Sequence, residues 1–215
     1  MQDIYACALS VLEKTVFGAE MSYASAKSLP EKETFLSGRE IERLGRFKLE
    51  KRRLEWQAGR LAAKKLMSAV LHIPACGLEV SYDEWHRPVC GGKLISISHS
   101  EGLAAAAYSG GRIIGVDIEI IKPRSSAWIR DYFFEDEVPG TDNDEAIKAW
   151  TRKEAVMKAI GTGLTVSAKD VNIAGDNPVF FGKALERFNI IGNPRIAIKT
   201  EKAGNWYVSV AVQAD

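Results

Sequence analysis

The stretch WTRKEAVMK, Trp150 to Lys158, restricts the fold more than any other part of the chain. At about 100° per residue of a helix, Ala146, Ile147, Ala149, Trp150, Met157 and Ile160 fall on one broad apolar face, and Lys153 and Glu154 fall among them. A carboxylate on a packed face is costly unless it is paired, neutralised or metal-bound. The chain must therefore bring a complement to this helix. Lys158, one turn beyond Glu154, shares its surface at roughly 5–6 Å between Cβ atoms, and a helix salt bridge is its plainest reading. Lys153 is expected to snorkel from the packed face to its rim.

The rest of the chain reads as mixed α and β structure. IYACALSVL alternates like a first strand and is too short to span a bilayer; with no basic region before it, no signal peptide or membrane span is read. A charged helical region begins near Ser37, and its second part, RRLEWQAGRLAAKKLMSAVLH, is rich in helix formers. GLEVSY reads as a strand, DEWHRPVCGG as a loop, and KLISISHS, LAAAAYS and RIIGVDIEI as an antiparallel run of three strands. KPRSS leads to a short helix ending near DYFF, EDEVPGTDNDE is an acidic loop, and the helix holding WTRKEAVMK stops at Gly161. GRLAAKKLMSAV followed by GLEVS parallels TRKEAVMKAIGTG followed by LTVSAKDVNI. The expectation is an α+β fold of two similar lobes in a pseudo-twofold relation, with mostly antiparallel sheets and packed long helices. The lobes span residues 1–111 and 112–215.

Charge and cysteines narrow the function. A net charge of +1 leaves no whole-molecule field for nucleic acid or membrane. The run from Arg39 to Lys65 is locally basic, ten Lys or Arg against four Glu, and is read as a solvated helix face; nucleic-acid binding is poorly supported, because only Phe47 and Trp56 interleave with it. Cys7, Cys76 and Cys90 have no CxxC spacing, as expected of a reduced, cytoplasmic protein. GTG at Gly161 to Gly163 ends a helix instead of opening one, so it is a cap and turn, not a dinucleotide fingerprint. Phe133 and Phe134 are read as packing residues.

The chemistry sits in GVDIE. In a strand, Asp117 and Glu119 point to one face roughly 6.5 Å apart, while Val116, Ile118 and Ile120 alternate onto a buried opposite face. Two like charges on one face call for a cation; a solvated outer face is the other reading of a lone D-x-E in a strand, and it is weakened by the apolar residues that flank these two. If Glu154 meets that face, three oxygen ligands converge in a set suited to Mg²⁺.

GVDIE followed about thirty residues later by WTRKEAVMK resembles the paired signature of the 4'-phosphopantetheinyl transferase superfamily, G-[IV]-D-[IV]-E and W-[ST]-x-K-E-[AS]-x-x-K, which both segments match without a gap. The Arg-Pro of HRPVCGG, the Ser-His-Ser of SISHS and the EKRRLEWQAGR helix extend the likeness toward the monomeric, two-lobed surfactin-synthetase-activating type. The resemblance implies transfer of the phosphopantetheine group of coenzyme A to a serine of an acyl, peptidyl or aryl carrier protein, with adenosine 3',5'-bisphosphate leaving. It implies Mg²⁺ on Asp117, Glu119 and Glu154, Lys158 on the pyrophosphate, and Glu154 or a metal-bound water as base. It also implies Lys51, Arg87, His99 and Ser98 around the 3'-phosphate of coenzyme A. Where the family commonly has glycine, an aromatic residue and asparagine, this chain has His86, Ile95 and Ser96. The rival readings are a non-catalytic coenzyme A or nucleotide-binding module and a basic-helix nucleic-acid binder.

Overall fold

The computed structural model describes residues 18–138, 140, 142–175 and 177–214. The first strand read in IYACALSVL, and Cys7 within it, lie outside these residues. Two long helices organise the remainder. Ser37 closes a capping box with Glu40 at the start of α1, Gly38–Leu44, and α2 follows as Glu50–Leu71. Its inner face packs on a three-stranded antiparallel sheet in the order β1, β6, β5, formed by Glu20–Ser25, Leu103–Tyr108 and Ser96–Ser100. Between them in sequence come the small strands β2, Val80–Tyr82, β3, Pro88–Cys90, and β4, Lys93–Leu94.

The second half repeats this order. After β7, Ile114–Ile120, and the short helix α3, Ser126–Tyr132, the long helix α4 runs over Asn143–Ile160. It packs on a sheet ordered β10, β11, β7, with β10 as Ile196–Ala203 and β11 as Trp206–Gln213. A small hairpin, β8 (Val171–Asn172) with β9 (Val179–Phe180), and helix α5, Gly182–Ile190, complete it. Gly161 ends α4 as expected: its φ of 81° is the left-handed cap, and its N–H bonds the Lys158 and Met157 carbonyls.

Strand alternation assigns the layers. On β6, Ala104 and Ala106 face the core beneath α2, while Leu103, Ala105 and Ala107 face a middle core shared with Val116 and Ile118 of β7 and Val208, Val210 and Val212 of β11. The layers therefore run α2, first sheet, second sheet, α4, and the fully buried alanines of β6 leave little side-chain bulk between the sheets.

One expectation needs correction. The three strands of the expected antiparallel run do not form one sheet: β5 and β6 pair, but β7 crosses into the second sheet and pairs with β11. Serines take over where β7 runs beside β5. Ser96 Oγ accepts from Val116 N at 2.9 Å and Ser100 Oγ from Ile120 N at 3.2 Å, so amides that would be orphaned at a strand edge are satisfied by side chains.

The repeat extends to the buried charges. Lys153 is fully buried instead of snorkelling, because its charge is met inside: its Nζ donates to Glu137 Oε2 at 2.6 Å and to the Tyr132 carbonyl at 3.0 Å, and Glu137 also accepts from the Phe134 and Ile173 amides at 2.8 Å each. In the first half, Lys64 on α2 donates to Glu40 and to the Phe35 carbonyl at 2.7 Å, and Glu40 accepts from the Ser37 and Val80 amides at 3.0 and 3.2 Å. Each long helix is thus pinned by one buried lysine to one glutamate that also ties down a following strand segment. The basic run is consequently not one solvated face, because Arg60 and Lys64 lie inside with Glu40.

Candidate active site

The glycine of GVDIE sets the distance between β7 and α4. A Cβ on Gly115 would stand 1.9 Å from the Ala155 carbonyl oxygen and 2.5 Å from the Ala159 amide, both helix backbone. Only glycine lets the strand approach this closely, and the approach brings Asp117 and Glu119, on the same strand face, up to the helix positions of Glu154 and Lys158. The opposite face is core, as the alternation requires.

Asp117 is 1 % exposed. Its Oδ1 accepts from Ser98 Oγ at 2.6 Å and from Lys158 Nζ at 2.5 Å, and Lys158 Nζ also donates to Ser98 Oγ at 2.9 Å and lies 3.4 Å from Glu154 Oε2. The carboxylates of strand and helix therefore meet around one cation, the Lys158 ammonium. Glu119 accepts from Ser100 Oγ at 2.9 Å through Oε2. Burial pushes the Asp117 carboxyl up to about 8, against the pull of Lys158, and Glu154 adds to the rise. Burial followed by the Glu154 charge likewise raises Glu119 despite its bond from Ser100. Burial pulls the Lys158 amine down, but Asp117 and Glu154 more than offset it and hold it above the ordinary lysine value.

One ammonium does not offset the burial of this carboxylate wall, and Asp117 Oδ2 is buried without a hydrogen-bond partner. The donors are all hard oxygens, the ligand type that a divalent cation such as Mg²⁺ takes. Among the described residues, no three His, Cys, Asp or Glu side chains stand close enough to grip an ion together; the Lys158 ammonium lies between two of them.

Cavities open on both sides of Lys158 and Glu154. One, of about 360 Å³, lies between the loop carrying Trp85 and Arg87 and the end of α4, with Lys158 in its wall. The other, of about 660 Å³, is lined by Glu119, Glu154, Arg124 and an aromatic wall of Trp128, Tyr132 and Trp150. Phe133 packs edge-on against Trp128 and Trp150, and Phe134 sits 5.8 Å from Phe181.

The residues expected at the 3'-phosphate do not share one cavity. Arg87 is held by Asp83, Nε to Oδ2 at 2.8 Å, beside the first cavity. His99 and Lys51 line a third, of about 560 Å³, together with Arg43 and Arg52. Ser98 and His99 leave opposite faces of β5, Ser98 toward Asp117 and His99 toward α2, where Nδ1 is 3.9 Å from Glu55. Lys51 is exposed and bonds Glu101 at 3.0 Å. Burial first, then the neighbouring Lys158 and Arg52 charges, lower the His99 pKa in spite of Glu55. His86 has φ 57°, the left-handed region in which glycine is the unstrained residue, so the loop keeps a glycine-like backbone with a histidine in it.

Sequence reasoning missed Ser96 and Ser100 as strand-edge acceptors, the Glu40 and Glu137 anchors, and the reason for Gly115. The alternation of SISHS was the signal for the serines: three hydroxyls on one strand face with no core to enter.

Comparison with known proteins supports the likeness read from the two motifs. Residues 113–209 match the model of the 4'-phosphopantetheinyl transferase superfamily. A curated relative, the 4'-phosphopantetheinyl transferase HetI of a Nostoc species, is 28% identical over 154 residues, and the match spans 65% of this chain and 65% of that protein. Two solved structures are also similar: holo-[acyl-carrier-protein] synthase of Neisseria meningitidis, 24% identical with a TM-score of 0.38 over 47% of this chain and 97% of that one, and holo-ACP-synthase of Plasmodium yoelii, 21% identical with 0.40 over 47% and 94%.

Proposed function

We propose that this chain is a 4'-phosphopantetheinyl transferase of the single-chain, two-lobed type, moving the phosphopantetheine group of coenzyme A to a serine hydroxyl of an acyl, peptidyl or aryl carrier protein. The observation that carries the reading is the meeting of Asp117 and Glu154 around Lys158, with Glu119 alongside, between two open cavities and inside the segment that matches the superfamily. The lobes divide near Gly111, and coenzyme A lies in the cleft between them. The chain works as a cytoplasmic monomer; among the described residues no helix is long and apolar enough to cross a membrane.

In the transfer, the serine oxygen forms a bond to the β-phosphorus of the coenzyme A pyrophosphate, and the bond from that phosphorus to the bridging oxygen breaks. The leaving group is adenosine 3',5'-bisphosphate. Lys158 stays protonated and donates toward the pyrophosphate oxygens. Asp117, Glu119 and Glu154 would hold Mg²⁺, which supplies charge neutralisation on the phosphate oxygens when bound. Ser98 and Ser100 orient two of these carboxylates. Glu154, at the edge of α4 and open to the second cavity, accepts the serine proton. His99 and Lys51 contribute cationic donors for the 3'-phosphate from the cavity they share, and Arg87 contributes one to coenzyme A from the other cavity, each contact worth about 1.5–3 kcal/mol when charge-assisted.

The test is incubation of purified protein with Mg²⁺, coenzyme A and a panel of carrier proteins, read by mass spectrometry for the added group. Asp117→Ala and Glu154→Ala should end turnover, and Lys51→Ala should chiefly weaken coenzyme affinity. Binding of coenzyme A with no modification of any carrier would instead favour a non-catalytic binding module.

A further inference from the structure

The 360 Å³ cavity is bridged at its rim by a contact that none of the motifs contains. Arg187, on α5, is only 5 % exposed. Its Nε donates to the Ile160 carbonyl at 2.8 Å, satisfying one of the orphan acceptors at the end of α4. Its guanidinium lies over the Trp85 ring, 3.5 Å from the centroid. Trp85 belongs to the loop between β2 and β3, on the far side of the cavity. The hydrogen bonds of that loop are internal: Asp83 accepts from the Trp85 and Arg87 amides at 2.9 and 2.8 Å and from the Arg87 side chain, while the His86 amide bonds the Asp83 carbonyl at 3.0 Å.

Gly161 is where the parts converge. A Cβ there would meet Arg87 Cδ at 2.9 Å and Arg187 Nη2 at 3.3 Å, so both arginines cross the same helix cap. The Arg87 charge acts against that of Arg187, and the carbonyl end of α4 and the Trp85 face hold Arg187 in place against it.

We infer that Arg187 is a positioning residue, stacking on Trp85 to latch the Arg87 loop to the end of the helix that bears Lys158 and so setting the width of the coenzyme cavity. Resting on the function proposed above, this assigns Arg187 no contact with the reacting atoms. The contact is close and partly desolvated, so a flat guanidinium suits it where a lysine ammonium would not.

The experiment measures coenzyme A binding by calorimetry, carrier modification by steady-state kinetics, and hydrogen exchange of the Trp85, His86 and Arg87 amides. Arg187→Ala and Trp85→Ala should each raise the Kd and KM for coenzyme A roughly tenfold, the size of a partly desolvated cation–aromatic stack, with kcat within about twofold. The double variant should be no worse than either single one, Trp85→Phe should recover most of the affinity, and the loop amides should exchange faster in both alanine variants. If Arg187→Ala fails to fold, Trp85→Ala on the outer loop carries the test. Unchanged loop exchange in Trp85→Ala, unchanged coenzyme affinity in the alanine variants where the wild type binds, or multiplying effects in the double variant would each overturn the latch. A wild type that binds no coenzyme A sinks the proposed function instead, and the exchange comparison still decides the latch.

Discussion

Replacing Lys153 with methionine tests how the site-bearing helix is held. The ammonium is fully buried, 2.6 Å from Glu137 Oε2, and burial lowers its pKa even though Glu137 pulls the other way. Methionine keeps the shape and leaves the Glu137 charge inside with only two amide donors. Removing one member of a buried pair costs about 3–5 kcal/mol, so Lys153→Met should cost about 4. The matching change in the first half, Lys64→Met, leaves Glu40 with the Arg60 guanidinium, Nε at 3.5 Å from Oε1. Its cost should be about half, near 2 kcal/mol. Urea unfolding followed by fluorescence reads both: with a slope near 2.5 kcal/mol/M, the midpoints should fall by about 1.6 M and about 0.8 M. Equal losses, or a larger loss for Lys64→Met, would refute the argument that a second cation at Glu40 distinguishes the two anchors.

Three further outcomes follow from the geometry. Gly115→Ala must push α4 away from β7, because the new methyl would collide with helix backbone; a loss of about 3 kcal/mol is expected, and a denaturation midpoint within error of wild type would contradict it. His86→Gly relieves a left-handed backbone and should raise stability by about 0.5–1 kcal/mol after the entropy of glycine is subtracted, seen as a higher Tm. Since folding lowers the His99 pKa below its ordinary 6.5, the neutral form is favoured in the folded state. The stability linked to this group is therefore full above about pH 6.5 and lost as pH falls through the folded value. His99→Gln should flatten that acid limb. Coenzyme A binding at neutral pH should take up a proton, measured by calorimetry in buffers of different ionisation enthalpy; no uptake would remove His99 from the phosphate contacts.

The local pattern was legible where a single element decides it. The apolar face of α4, the cap at Gly161, the acidic and apolar faces of β7 and the long helix after Ser37 all follow from periodicity and end signals, and each is present. What needed partners in space was not. Lys153 reads as a snorkelling rim residue until Glu137, in what reads as an acidic loop, turns inward to meet it. The strand after the Ser-Gly-Gly turn reads as the third of a meander, yet the serines of β5 can bond its edge amides only because it lies in the other sheet. Side-chain ladders and sheet changes depend on which edges face each other, and that information is spread over distant segments.

The two buried lysines also explain why the motif of carboxylate and ammonium is legible in one half only. Superposing Lys64 on Lys153 as equivalent anchors puts Lys65 at the position of Glu154 and Ala69 at that of Lys158. The anchor is common to both long helices, but the carboxylate and the ammonium one turn beyond it are present only on α4. Lys65 is exposed, and the start of the first-half helix brings Lys51 and Arg52 to the cavity that His99 also lines. One scaffold, used twice, thus gives an acidic wall suited to a cation and a basic wall suited to an anion. The Ser98 hydroxyl ties the two halves together here, joining β5 of the first sheet to Asp117 of the acidic wall.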